Sequence, residues 1–125
     1  MSVNIIAAMA LVHFIADFVL QSSWMAQNKS KDLLALTAHV AVYGLCLSIF
    51  AGALTLLGLA QWAPMAAFVV VNTLLHFAVD SITSFYSAGL WSEKRWHDFF
   101  VLVGFDQLLH FVILIYTLNS AIGVT

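Results

Sequence analysis

Apolar and polar positions alternate along the chain in long blocks, and the blocks predict four helices. The first apolar run extends from about Val3 to Trp24 and gives way to "AQNKSKD", residues 26–32. The second extends from Leu33 to about Leu59, where "AQWAP", residues 60–64, turns the chain. Pro64 suits the first turn of a new helix, where its missing N–H would have no partner in any case. The third run extends from about Pro64 to Phe85, ahead of the break "SAGLWSEKRWHD", residues 87–98. The fourth extends from about Phe99 to Leu118. Each run is close to the ~20 residues that cross the hydrocarbon of a bilayer. The expected fold is an all-α membrane protein, with four transmembrane helices in a single domain, residues 1–125.

Composition strengthens that reading. The chain is 63% hydrophobic and 8% charged, whereas soluble domains are about a quarter charged. A net charge of -2 without any basic stripe excludes nucleic acid as a partner. The first run has no basic segment before it and carries His13 and Asp17, so it reads as a retained helix rather than a signal peptide. Cys46 stands alone in an apolar run, which excludes an internal disulfide and leaves a small core residue.

Charge also orients the spans. The basic residues are Lys29 and Lys31 in the first break and Lys94 and Arg95 in the third. The positive-inside rule puts both breaks in the cytoplasm and both termini in the periplasm, for a multi-pass protein of a bacterial inner membrane. Trp24, Trp62, Trp91 and Trp96 fall near span ends, as interfacial anchors do. At the cytoplasmic mouth Asn28 and Lys29 read as a solvated loop, in preference to a contact with an anionic head group. His97 and Asp98 read as interfacial.

Inside the runs the polar residues repay closer reading. "HFIADF", residues 13–18, and "HFAVDS", residues 76–81, each set a histidine and an aspartate four residues apart. On a helix that spacing places both on one face. His13, Asp17 and Gln21 form one stripe, and His39 and Tyr43 a second. Asn72, His76 and Asp80 form a third, and Asp106 and His110, beside Gln107, a fourth. With a rise of about 1.5 Å per residue, Asp17 and His39 lie roughly 10 Å from the cytoplasmic ends of their spans. His76 and Asp106 lie roughly 12–14 Å in, Asp80 is shallower and His110 deeper. Polar residues of four helices therefore converge on one layer. A carboxylate at the centre of a span costs at least about 2.5 kcal/mol. A divalent cation offsets that cost by pairing with carboxylate and neutral imidazole together.

The two His-Phe-x-x-Asp units imply a parallel two-helix pseudo-repeat, in which each half ends on a returning span with His39 or His110. Each half then offers two histidines and one carboxylate, a ligand set for a metal with open positions. The expected metal ligands are His13, Asp17, His39, His76, Asp80 and His110, and the expected cofactor is a divalent ion, zinc, manganese or iron. Some polar residues break the repeat: Asp106 pairs with Ala35, Gln21 with Ser84, Tyr43 with Leu114 and Asn72 with Met9. Asp106, Gln21 and Tyr43 are accordingly the candidates for catalysis. For Gln21, Tyr43 and Gln107 a hydrogen bond between helices is an equal reading.

"HFIADFVLQSSWMAQNKS", "HVAVY", "HFAVD" and "DQLLH" together resemble a small bacterial and phage membrane-protein family catalogued as domain of unknown function family 3307. The resemblance covers nearly the whole chain and implies a helical membrane domain. More distantly, the His-x-x-x-Asp helices resemble those of membrane-bound proteins labelled metal-dependent hydrolases. The expected function is metal-dependent hydrolysis of a lipid head group or another membrane-near substrate. The alternatives are a module for divalent-ion or proton transport or sensing, a haem-binding bundle, and a non-catalytic module whose polar network fixes packing. Partners are the lipid bilayer and, for a site shared between chains, a second copy in a homodimer.

Overall fold

The structure, a computed structural model, describes residues 2–123; residue 1 and residues 124–125 of the expected domain lie outside the described residues. It is helical, with no strand among the described residues. The elements are α1 (Val3–Phe14), a π-helical turn (Ile15–Val19), α2 (Ser23–Asn28), α3 (Leu33–Leu56), α4 (Trp62–Ser92) and α5 (Trp96–Ile122). Helices α3, α4 and α5 are long and apolar enough to cross a membrane. The apolar segment Val3–Val19 is shorter.

The first run is therefore not one helix to Trp24. The amide of Leu20 bonds the carbonyl of Ile15 at 2.9 Å, an i→i+5 closure that widens the last turn. The chain then leaves helical geometry, and Ser22, in extended conformation, accepts from the amide of Met25 at 3.2 Å to start α2. A serine cap of this kind satisfies an otherwise orphan N–H, and it outcompetes apolar continuity here. Trp24 consequently sits on α2, and Gln21 lies in the link rather than on the stripe of His13 and Asp17.

The third run is longer than its apolar stretch. Only Gly89 opposes the helix between Phe85 and Ser92, at a cost of about 1 kcal/mol, so α4 absorbs half of the expected break. Both α3 and α4 end in the same two-bond motif. After α3, the amides of Gly58 and Leu59 return to the carbonyls of Thr55 and Leu54, with Gly58 at φ 72°. After α4, the amides of Lys94 and Arg95 return to Trp91 and Leu90, and Lys94 takes φ 59° without glycine's freedom. Asp32 caps α3 through a 2.9 Å bond from the amide of Leu34.

The helices close into a ring: α1 packs on α3, α3 on α4, α4 on α5 and α5 on α1. Gly44 lets α3 approach α4, since a Cβ there would meet Thr73 Oγ1 at 3.0 Å. Inside the ring, Met9, Leu47, Phe50, Met65, Phe68, Leu114 and Leu118 form an apolar core. Outside it, Leu45, Ile49, Leu74 and Leu108 are exposed. An apolar exterior around buried polar residues is the arrangement a bilayer stabilises.

Candidate metal centre

Toward the end of the ring that carries the turns after α2 and α4, apolar packing gives way to a buried polar cluster. Asp17 comes from the π-helical turn, His39 from α3, and His76 and Asp80 from successive turns of α4. All four are buried. His39 Nε2 lies 3.1 Å from Asp17 Oδ1, 3.2 Å from Asp80 Oδ2 and 3.1 Å from His76 Nε2. His76 Nε2 lies 3.5 Å from Asp17 Oδ1 and 3.7 Å from Asp80 Oδ2. One ligand atom from each of the four falls within 4.8 Å of every other.

These separations have a chemical meaning. Carboxylates only accept, and a neutral imidazole has one N–H to give. Atoms so placed cannot all be satisfied by one another. Ligand atoms about 2.0–2.1 Å from a tetrahedral centre stand about 3.3 Å apart. Five of the six separations among these atoms, from 3.1 to 3.7 Å, bracket that edge.

Asp17 belongs to a second set, with Asp106 and His110. His110 Nδ1 lies 2.9 Å from the backbone carbonyl of Asp106, a bond that assigns the ring proton to Nδ1. His110 Nε2, with its lone pair free, is buried without a hydrogen-bond partner and lies 3.6 Å from Asp80 Oδ1. Asp106 is less buried than the rest and accepts from Thr83 Oγ1 at 2.7 Å and from Gln107 Nε2 at 3.1 Å. Gln107 Nε2 also donates to Asp17 Oδ2 at 2.7 Å, and its Oε1 lies 3.0 Å from His13 Nε2. One amide thus ties α1 to α5.

The predicted residues divide accordingly. Asp17, His39, His76 and Asp80 meet in one set, and Asp106 and His110 join Asp17 in the other. His13 is in neither; its Nε2 is 3.9 Å from Asp17 Oδ2 and engages Gln107. Tyr43 lies flat on His76, with ring centroids 3.8 Å apart and planes 8° from parallel. Gln21 Oε1 is buried without a partner. Asn72 lies toward the other end, where its Nδ2 donates to Thr117 Oγ1 at 2.8 Å and clamps α4 to α5.

Lys29 corrects the sequence reading. It is not a solvated loop residue: its Nζ donates to Asp80 Oδ2 at 2.7 Å, and its side chain is 18% exposed. It is the C-cap of α2, which packs on α3, and its long stem reaches inward from there. In the sequence Lys29 and Lys31 look alike, so nothing local separates the buried one from the other. Three carboxylates within apolar runs were the available signal that a nearby cation is drawn in.

A groove of about 910 Å³ lies between the facing ends of α4 and α5, lined by Lys31, Tyr86, Leu90, Arg95, Leu102 and Phe105 among others, and none of the clustered His and Asp residues lines it. Leu102 stands one turn before Asp106 on α5. At its rim Arg95 pairs with Asp98 at 2.8 Å and Glu93 at 3.4 Å.

The chain matches, over residues 5–125, the family described as Protein of unknown function (DUF3307), and it belongs to that family. Neither the curated proteins nor the solved structures contain a match to it.

Proposed function

We propose that this member of the family is an integral membrane protein whose buried His/Asp cluster binds a divalent metal ion and uses it to hydrolyse a membrane-near substrate. The spacing of Asp17 Oδ1, His39 Nε2, His76 Nε2 and Asp80 Oδ2 carries the reading, because five of its six edges lie near those of a tetrahedral ligand shell. The chemistry of the donors supports a hard or borderline ion such as zinc, manganese or iron. Asp17 is common to both sets, so a second ion held by Asp106 and His110 would share its carboxylate.

Such an ion supplies Lewis acidity and lowers the pKa of a water. The chain's own residues do the rest. Asp106 is held by Thr83 and Gln107 and is the least buried carboxylate of the cluster, which suits it to take a proton from water. Tyr43 fixes the plane of the His76 imidazole. Gln21 Oε1 remains available to a water or substrate group. The groove brings a lipid head group or another membrane-near substrate to Leu102, one turn before Asp106 on α5.

Other functions fit less well. His39 and His76 nitrogens 3.1 Å apart leave no slot for a haem. The apolar core of Met9, Leu47, Phe68 and Leu114 seals the other half of the ring against ion passage.

In this reading all four apolar segments span a bacterial inner membrane, with the basic turns cytoplasmic and both termini periplasmic. The segment Val3–Val19, of 12 and 5 residues, is at the lower limit of span length. The pseudo-repeat relates α1 to α4 and α3 to α5. Elemental analysis of detergent-purified protein tests the proposal: it should contain about one or two tightly held divalent ions per chain. Stable, folded protein without metal, and unable to take it up, overturns it. A reporter active only in the cytoplasm, fused to the C-terminus, should be silent; a strong signal overturns the orientation.

A further inference from the structure

The ammonium of Lys29 occupies the same carboxylate oxygen that faces both inner histidines. Asp80 Oδ2 accepts from Lys29 Nζ at 2.7 Å while lying 3.2 Å from His39 Nε2 and 3.7 Å from His76 Nε2. A divalent ion at the centre of that set would stand beside a second positive charge within a poorly solvated pocket, where like charges repel strongly.

We infer that Lys29 is an exchangeable counter-cation: it neutralises Asp80 when the site is empty, and a divalent ion must displace it to enter. This rests on the metal reading above and adds a residue that governs occupancy and a moving part. The moving part is α2, six residues long with none buried. It is joined to α1 by the non-helical link at Leu20–Ser22 and to α3 by the turn before Leu33. Its side-chain bond to α4 is Lys29 to Asp80. Displacing Lys29 therefore removes that tie, and metal loading loosens α2 from α4 while it still packs on α3. Asp17 has the Gln107 amide as a donor in the empty protein, whereas without Lys29 the buried Asp80 carboxylate would have no charged partner but the neighbouring imidazoles.

The test is a zinc titration of purified, metal-stripped wild type, Lys29→Met and Lys29→Arg. Removing the competitor should tighten zinc binding by about ten-fold in Lys29→Met, the order of a charge-assisted hydrogen bond lost from the empty state. Lys29→Arg keeps a competing cation and should stay near wild type. In parallel, Ser30→Cys in a Cys46→Ala background reports on α2, and its labelling by a polar maleimide should accelerate when zinc is added. Unchanged or weaker zinc affinity in Lys29→Met overturns the exchange, as does labelling that zinc leaves unaltered. In those outcomes zinc still binds and the metal reading stands. If neither wild type nor Lys29→Met binds zinc, both the exchange and the metal reading beneath it fall.

Discussion

The two ligand sets that share Asp17 differ in enclosure. Asp17, His39, His76 and Asp80 are buried, and the elements that supply them, the π-helical turn, α3 and α4, surround them. The other set adds Asp106 and His110 from α5, and there the Asp106 carboxylate is only partly buried and bonded to Thr83. The chemistry of the donors is the same; enclosure separates them. Burial of a closed set shields a bound ion from competing water. A set with one open side admits water or substrate to a fixed carboxylate. Under the proposed function, the inner set would hold the ion and the outer one would do the chemistry.

The largest expected effect is on the inner set. Asp80→Ala or His76→Ala should lower metal affinity by at least about 100-fold, measured as ions retained after dialysis against a chelator. His13→Ala and Asp17→Ala should lower it too, Asp17→Ala as strongly and His13→Ala less, because His13 acts through Gln107. Equal losses from His13 and His76 would erase the distinction between ligand and support.

Next comes Asp106→Asn. The substitution keeps shape and hydrogen bonding but removes the base and its charge. It should retain the inner ion and the fold while abolishing turnover once a substrate is in hand. Metal loss as complete as in Asp80→Ala would make Asp106 a holding ligand and send the search for a base elsewhere. Full activity would remove the hydrolytic mechanism.

Gln107→Leu should have a smaller effect. It takes away the amide between Asp17, Asp106 and His13, at a cost of about 1–3 kcal/mol for the polar groups left without partners. Thermal unfolding in detergent should show the loss, with metal still bound. Smallest is Tyr43→Leu, which removes a stacked ring worth about 0.5–1.5 kcal/mol. It should shift metal affinity slightly through the freed His76 imidazole.

Much of this comparison was legible beforehand. Helix periodicity brought His76 and Asp80 onto one face, and the shared depth of Asp17 and His39 anticipated their meeting. The gaps have physical causes. Ser22 ends the first run by capping α2, a stop that the short polar triplet of residues 21–23 carries within an otherwise apolar run. The π-helical turn exchanges the i+4 register for i+5, which takes Gln21 off the stripe. Identical motifs concealed that His13 and His76 have different neighbours, because the Gln107 amide lies beside His13 and Tyr43 lies on His76. Lys29 was hidden by its loop context, since only the fold shows which carboxylate its stem reaches.

Cobalt(II) uptake tests the central claim most directly, because the visible spectrum reports coordination geometry as well as binding. Metal-stripped wild type should bind cobalt and develop the intense visible bands of a tetrahedral site with nitrogen and oxygen ligands. Asp80→Ala should lose those bands, and Asp106→Asn should keep them. Folded wild type that binds no cobalt, or uptake that Asp80→Ala leaves unchanged, would contradict a metal centre built from Asp17, His39, His76 and Asp80.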